Sequence, residues 1–441
     1  LLERWTIIRF LLEYLNKIVM RVLWYSLSPC GSIRRSGELR VIQGWMISLE
    51  DEVKKNKEID LHVAYFSYTE NEPFKFDGVT YHPMFKPKAR TKIGRVLERY
   101  KSLASEDEKM LPVMLDVVTS VHPDLIHIHG TEERFGLIQD YVTDIPVVFS
   151  IQGLIAPYKE KYFSGLPDKD IIKFESWMER IRKISYRDEF KGFVYRAKRE
   201  VGFLNKAKYV MGRTFWDKDI TGMLNMSRKF FVVDEILRPP FYNKAWTKAA
   251  FSEDKIRIFS TISGGIYKGY ETVLKTALLL KQNTNIDFEW KIAGYDKNSK
   301  WVRIAENYTG IKTADVNVKL MGALDADNLS DELINSDMYV HMSHIENSPN
   351  SVCEAMMLGI PVIASFTGGT ASMLEHGKEG FLVQDGDPYV YAGMIVDYYM
   401  HFSKVKAYGE KARQRALVRH NPNRICGQLL DAYNNILSDK K

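Results

Sequence analysis

The sequence predicts an α/β protein of two doubly wound, Rossmann-like domains, and three observations predict it. First, an apolar run at Val22–Ser26 leads into the loop SPCGSIRRSGE and a helical stretch, Leu39–Lys54. Strand, glycine loop and helix open a doubly wound unit. Second, strand-like runs and helical stretches alternate after residue 255, which puts helices on both faces of a second parallel sheet. Third, ILRPPFY at 236–242 carries two adjacent prolines, which forbid regular structure and mark a linker. The division that follows is a segment 1–19, a first domain 20–242, a second domain 243–402 and terminal helices 403–441.

Composition sets limits on function. The chain has 441 residues, 45% of them hydrophobic, enough for two cores. No window holds the run of about 18 apolar residues that a membrane span requires. Cys30, Cys353 and Cys426 are scattered, which fits a reduced interior and excludes a disulfide framework. There is no HExxH and no paired Cys/His spacing, so no zinc site is expected. The net charge of +6 suits anionic small molecules or an anionic membrane surface. No nucleic-acid-binding motif accompanies it.

Residues 1–19 place Arg9, Glu13, Asn16 and Lys17 on one helical face, with apolar side chains over most of the rest. They read either as an interfacial membrane helix or as sequence upstream of a start at Met20, and MRVLWYSLSPCG favours the second. Charges interrupt the apolar stretch, which disfavours a signal peptide.

Leu61–Phe66 reads as the second strand. A basic stretch follows between Lys86 and Lys101, with Lys92, Arg95 and Arg99 opposite Ile93, Val96 and Leu97 on a helix. It is either a contact for anionic lipid or an anionic acceptor, or a solvated helix face, which is the commoner case. PDLIHIHG, 123–130, is a strand that turns His127 and His129 to one side. A strand histidine is usually a core residue. The C-terminal end of a strand is also where α/β folds hold ligands, so His129 is a candidate. IPVVFSIQG is another strand, ending at Gln152. Residues 157–201, with helical stretches at Ile171–Ile184 and Phe193–Leu204, read as elaboration over the sheet and the place for an acceptor site. In the strand and turn at 207–217, Arg213 and Thr214 either face the cleft or are satisfied loop residues.

In the second half, Lys255–Thr261 is a strand, and ISGGIYKGYETVLKTALLL places Lys268 at the mouth of a long helix. FEWKIAG, VNVKLMG and Met338–Met342 are further strands, Leu374–Val383 holds a last one, and Lys404–Ala416 and Arg424–Leu437 are helices. The stretch HIENSPNSVCEAMMLGIPVIASFTGG, from His344, reads as loop, helix, strand and glycine turn. Pro349 and Asn350 suit the helix start and Gly359 its end. A helix N-terminus offers unpaired N–H groups and partial positive charge to a phosphate. Glu346 and Glu354 flank that start, and carboxylates accept from hydroxyls, as sugars and riboses provide. The spacing is compatible with a nucleotide sugar. It is equally that of one glutamate near a cap and one exposed glutamate.

The whole string resembles the signature of retaining glycosyltransferases of family 4, which have the GT-B fold: two such domains face each other across a cleft and the C-terminal helix crosses back. The resemblance assigns Glu346 to the transferred sugar and Glu354 to the ribose, and puts Asn350 and Ser351 beside the diphosphate. It gives Lys268 a catalytic, charge-neutralising role at the diphosphate with the SGG loop at Gly265, and sets Gly322, Ala323 and Leu324 against the base. Gly368 and Gly369 match the glycine turn beside the donor, and Gly31 matches the first loop. PDLIHIHG resembles the family's PDxxHxHG segment and raises His129 as catalytic. Two departures stand out. Gln152, on the acceptor side, occupies a position where many relatives carry histidine, and glutamine cannot take a proton. Ile262 stands where an arginine normally partners the lysine, so Lys268 acts with backbone donors alone or Arg213 supplies the second cation.

The expected function is therefore a retaining, metal-independent transfer of a sugar from a UDP- or GDP-linked donor to a glycan or lipid-linked acceptor hydroxyl. The resemblance suggests bacterial surface polysaccharide or lipid-linked glycan synthesis in the cytoplasm, peripheral to the inner face of the plasma membrane. A nucleotide-sugar isomerase (epimerase) of the same architecture and a non-catalytic nucleotide-sugar-binding partner are the alternatives. No cofactor is expected. The triplets Asp325–Asp327 and Asp385–Asp387 read as a helix cap and a turn rather than metal ligands.

Overall fold

The computed structural model describes residues 19–36, 44–167, 171–251 and 255–439. The amphipathic segment expected at 1–19 lies outside these residues apart from Val19, as does the start of the helix expected at Leu39.

The first half builds an eight-stranded sheet from β1 (Met20–Tyr25), β2 (Ile59–Ser67), β3 (Phe74–Phe76), β4 (Val79–Phe85), β5 (Leu125–His129), β6 (Val147–Ser150), β7 (Tyr209–Gly212) and β8 (Lys229–Val232). Its spatial order is β3-β4-β2-β1-β5-β6-β7-β8. All neighbours run parallel except β3 against β4. β1 is central, with Val22 paired to Leu61 on one side and Leu125 on the other. Val22, Leu23, Trp24 and Tyr25 are all fully buried. Continuous apolar sequence, rather than alternation, is what a parallel strand covered on both faces demands. The β3–β4 hairpin is not apparent from hydrophobic runs. It is made by Asp77 and Gly78, both at positive φ, 49° and 84°, a pair suited to a tight hairpin turn.

The second half builds a six-stranded, wholly parallel sheet from β9 (Ile256–Thr261), β10 (Phe288–Ala293), β11 (Val318–Gly322), β12 (Met338–His341), β13 (Val362–Phe366) and β14 (Phe381–Gln384). The order β11-β10-β9-β12-β13-β14 is the 3-2-1-4-5-6 order of a dinucleotide-binding sheet. Strand order reverses between β9 and β12, so a crevice opens at their C-terminal ends.

The chain first changes core between Ile236 and Leu237: Val233 and Ile236 pack with the first sheet, Leu237 and Phe241 with the second. The two prolines there do not exclude regular structure. Pro240 opens a one-turn helix, Pro240–Asn243, because a missing N–H is harmless at a helix start. Of the two terminal helices, Phe402–Arg419 stays on the second half, burying Ala412 and Ala416. The last, Pro422–Ser438, crosses back and buries Ile425, Leu429 and Tyr433 in the first core. The Tyr433 hydroxyl accepts from Trp24 Nε1 at 2.9 Å and meets His127 Nδ1 at 2.6 Å.

Candidate active site

Between the halves lies a cavity of about 280 Å³, lined by Trp45, Arg238, Lys268, Glu346, Ser351 and Glu354 among others. Its floor is the crevice at the switch point. Thr261 and Ser263 come from the end of β9, and the Glu346 loop from the end of β12.

That loop runs into α1 (Asn350–Leu358), with Pro349 extended at its N-cap and Gly359 left-handed at its close, φ 83°. Val352 and Cys353 N–H groups bond back to Pro349 O, so the turn at Asn350 and Ser351 faces the cavity. Glu346 sits before the helix on a backbone held from behind. Gly369 N donates to Glu346 O at 3.0 Å. A Cβ on Gly368 would lie 1.7 Å from that oxygen, and one on Gly369 would lie 2.0 Å from Asn347 O. The glycine pair thus seats the loop; only residues without side chains permit this approach.

The Glu346 carboxylate accepts from Lys268 Nζ at 2.6 Å and Ser343 Oγ at 2.7 Å, with His341 Nε2 at 3.3 Å. Burial alone would raise its pKa. The Lys268 charge and the bonds from His341 and Lys268 outweigh burial and hold it well below the usual carboxylate range. Lys268 is raised in turn, against its own burial. It sits just before Gly269, whose φ of 75° lets the chain pass Met342 O before the helix Tyr270–Asn283.

Glu354 is held by Arg238, whose Nε and Nη2 donate to its two oxygens at 2.7 and 2.8 Å. Burial raises the Glu354 pKa and Arg238 offsets part of that rise. Arg238 was not anticipated. It lies inside the stretch read as a linker, and an arginine directly ahead of two prolines at a domain crossover was the available signal. Arg213, one of the two options for the missing charge, is not among the cavity-lining residues: Nε is 3.6 Å from Glu235 and the guanidinium stacks 4.3 Å from the Trp45 ring. Ile262 is a core residue, 3% exposed. The second cation in the cavity is therefore Arg238.

His129 corrects another expectation. It is 1% exposed, stacked on His127 at 3.8 Å with Trp24 edge-on at 4.6 Å. Burial and the neighbouring charges of His127 and Arg213 push its pKa well down. It stands behind the cleft wall, with cavity-lining Trp45 at 6.4 Å. Gly31 and Gly265 do not line the cavity either. Gly31 N donates to Glu50 at 3.1 Å, and Gly265 clears room for the Tyr267 ring, which a Cβ would meet at 2.5 Å. Gly322 N bonds to Tyr295 O at 2.9 Å; the loop through Ala323 and Leu324 lies outside the cavity lining, with Leu324 packed on the second core. Gln152, expected on the acceptor side, contributes its carbonyl, which accepts from Asn347 Nδ2 at 3.1 Å and ties the first half to the Glu346 loop.

Glu132 was also missed. Its Oε2 is buried without a hydrogen-bond partner among the described residues, and burial raises its pKa to about 7. It lies against Gly130 and Gly153. Neither Asp triplet faces the cavity. Asp325 caps Ala326–Asn335 by accepting from Asn328 N at 2.8 Å. Asp387 caps Pro388–Met400, and Asp385 binds His344. Among the described residues, Glu235, Cys353 and His420 lie at metal-holding separations, within 4.8 Å. They do not suit a cation: Glu235 already faces Arg213 at 3.6 Å and Arg419 at 3.8 Å.

The chain that builds this cavity is similar to known proteins. Residues 244–415 match the family of glycosyl transferases group 1. The chain carries a glycosyl transferases group 1 domain. Among curated relatives, N-acetyl-alpha-D-glucosaminyl L-malate synthase of Bacillus anthracis is 28% identical over 26% of this chain and 30% of its own length. The amylovoran biosynthesis glycosyltransferase AmsK of Erwinia amylovora is 25% identical over 41% of this chain and 44% of its own. The chain thus spans less than half the length of these relatives. The GT-B fold extends over both halves. Sucrose-phosphate synthase from Thermosynechococcus elongatus superposes on 95% of this chain and 100% of its own, TM-score 0.68 at 14% identity. HepE of Anabaena, solved with UDP-glucose, superposes on 94% and 100%, TM-score 0.61 at 16% identity. The group 1 domain therefore contains Lys268, Glu346 and Glu354, while Arg238 precedes it. No described helix is long and apolar enough to cross a membrane.

Proposed function

We propose that this chain transfers a sugar from a nucleoside-diphosphate donor to an acceptor hydroxyl, with retention at the anomeric carbon and without a metal ion. One observation carries the reading: two cations and the start of α1 converge between two buried carboxylates in a single cavity. The diphosphate takes the Asn350–Ser351 turn, with Lys268 and Arg238 within reach of its charge. Glu354 accepts from the ribose hydroxyls and Glu346 from hydroxyls of the transferred sugar. A uridine donor is the first choice, because HepE is solved with UDP-glucose, and a guanosine donor the second. AmsK, named for amylovoran biosynthesis, supports a glycan acceptor.

The chemistry follows from charge. As the glycosidic bond breaks, negative charge grows on the leaving phosphate and positive charge on the sugar ring. Lys268 and the α1 N–H groups stabilise the first, and the Glu346 carboxylate eases the second. Glu346 is engaged by Lys268 and Ser343, and Gln152 cannot accept a proton. The departing phosphate oxygen is then the base that takes the acceptor proton, on the face the acceptor attacks, which gives retention. The metal-free reading rests on the donor set, since both Asp triplets are occupied as caps or in an ion pair.

The test is product analysis with UDP-glucose and GDP-linked sugars, with and without acceptor, in the presence of a chelator. Transfer or slow donor hydrolysis, with an α-linked product from an α-linked donor, supports the reading. Donor consumed to an isomeric nucleotide sugar without acceptor supports an isomerase instead, and activity abolished by the chelator overturns the metal-free step.

A further inference from the structure

Where the two halves touch, each brings a buried oxygen that has no hydrogen-bond partner among the described residues: Glu132 Oε2 and Asn347 Oδ1. Glu132 follows β5, and the first sheet reverses its strand order between β1 and β5. The C-terminal ends of those strands are where such a sheet holds a ligand. The Glu132 carboxylate lies over two glycines: an added Cβ on Gly130 would sit 2.2 Å from Oε2, and one on Gly153 would sit 3.5 Å from Oε1. Asn347 is 2% exposed and comes directly after Glu346. Its Nδ2 donates to Gln152 O at 3.1 Å, and its Oδ1 is left over. Both side chains thus pack on the Gln152–Gly153 turn after β6, beside the Glu346 loop.

A neighbouring carboxylate provides the contrast. Glu200 is engaged through both oxygens: Oε1 accepts from Thr131 Oγ1 at 2.5 Å and Ile155 N at 3.1 Å, and Oε2 from Ala156 N at 2.7 Å. It fastens the start of the helix Ile155–Glu160 to the helix Tyr186–Lys206. Glu132 Oε2 fastens nothing among the described residues, and a buried oxygen left unpaired costs stability. Tyr158 of the helix Ile155–Glu160 connects this place to the donor side. Burial, then the Glu346 charge, with Glu132 among the smaller causes, raise its pKa well above the ordinary tyrosine value. Its hydroxyl therefore stays protonated within reach of both carboxylates.

The chemistry of the missing partner follows. Carboxylate and amide oxygens only accept, so the partner must donate. A phosphate would be repelled. A metal ion would need more ligands, and among the described residues Glu132 belongs to no group of three His, Cys, Asp or Glu at metal-holding separations. Sugar hydroxyls meet both requirements. We propose that Glu132 and Asn347 hold hydroxyls of the acceptor, with the attacking hydroxyl on Glu132. This rests on the glycosyl-transfer reading. The proton of that hydroxyl still leaves on the departing phosphate oxygen; Glu132 accepts a hydrogen bond and sets the direction of attack. The ionised carboxylate is the form that only accepts. Burial raises the Glu132 pKa to about 7, opposed by its own backbone N–H and by Arg196 and reinforced by Glu200 and Glu133.

The test is the release of UDP from UDP-glucose, and of GDP from GDP-mannose, with n-octyl glucoside and n-octyl galactoside present. Water is the attacking hydroxyl where neither glycoside is taken. Release by the unaltered chain should rise with pH through about 7. Glu132→Gln should lower it about ten- to a hundredfold at pH 8 and lose that rise, and Asn347→Ala should lower it about three- to tenfold. Calorimetric affinity for the nucleoside diphosphate should stay within about twofold in Glu132→Gln, since the donor is held elsewhere. The unfolding midpoint of Glu132→Gln at pH 8 should not fall, because a buried charge without a partner is removed, whereas Glu200→Gln should lower it. Release that keeps its rate and pH profile in Glu132→Gln, or its rate in Asn347→Ala, overturns this proposal alone, and buried water then satisfies the two oxygens. A lowered midpoint in Glu132→Gln overturns it in favour of a structural role. Nucleotide bound but never released from a sugar by the unaltered chain overturns the glycosyl-transfer reading, and this proposal with it.

Discussion

Arg238 and Glu354 face each other through two parallel hydrogen bonds of 2.7 and 2.8 Å, at the point where the chain leaves one sheet for the other. The pair joins the crossover to the helix that starts in the cavity. It is an anchor for the second half and, in the proposed function, a reservoir of charge for the donor.

Arg238→Ala leaves the Glu354 carboxylate buried without its partner. Breaking a buried pair in this way costs about 3–5 kcal/mol, and the low end is expected, because the Arg238 side chain is 17% exposed. Denaturant unfolding measures it. Arg238→Lys keeps the charge but not the fork, and falls between. A loss below about 1 kcal/mol for the alanine variant would mean that Glu354 is satisfied by other groups.

Lys268→Ala is expected to lower turnover by about 10²–10³, the cost of losing a charge-stabilising group at the site of reaction. Its Glu346 partner also makes stability depend on acid. The folded Glu346 pKa is depressed, so its contribution is present above the ordinary glutamate value of about 4.3 and fades as pH falls below it. Lys268→Ala should flatten that acid limb in a pH series of unfolding midpoints. An unaltered limb would show that the 2.6 Å contact does not persist in solution.

A second pH dependence has the opposite sign. His344 lies between Glu271 at 2.6 Å and Asp385 at 3.2 Å, and Asp385 also meets Lys161 of the first half at 3.5 Å. Burial opposes the His344 charge, but the bonds to Asp385 and Glu271 prevail and raise its pKa to about 9. A raised folded pKa gives stability that is complete below the ordinary value of 6.5 and lost as pH rises through 9. The amount is on the order of 3 kcal/mol. His344→Gln should remove that alkaline decline, read from unfolding at pH 6 and at pH 9.5; an identical decline in both proteins would assign it to another group.

Gly368→Ala is expected to displace the Glu346 loop, because a Cβ would fall 1.7 Å from Glu346 O. Overpacking of this kind costs about 1–3 kcal/mol, and the positive φ of 49° adds strain. Turnover should fall further than stability alone explains. Gly310→Ala is a control: it also has positive φ, 71°, but no atom within 4 Å of the added Cβ. Equal effects at both positions would mean that backbone conformation, not the contact with Glu346, is what Gly368 supplies.

The fold was legible because its strands are buried on both faces. VLWY is an unbroken apolar run, IRIFS and MYVHM are mostly apolar, and each falls in a strand at or beside the centre of its sheet. The β3–β4 hairpin was not legible, since its strands sit at the sheet edge and depend on a two-residue turn. The candidate site was legible where local strings carry its residues: Glu346, Asn350, Ser351 and Glu354 in one string and Lys268 in another all line the cavity. It was not legible where a residue outside any such string enters. Arg238 reaches Glu354 across 116 positions, and nothing local to either residue announces the pairing. His129 shows the converse, as a motif-bearing residue whose side chain turns into the core beside Trp24.

The account stands most directly on where a nucleoside diphosphate binds, and calorimetric titration of UDP and GDP measures it. One of them should bind at a single site in the unaltered chain and at least about tenfold more weakly in Lys268→Ala and in Glu354→Ala, as expected for lost charge-assisted contacts. Binding of neither, or binding with the same affinity in both variants, would contradict the cavity between Lys268, α1 and Glu354 as the donor site.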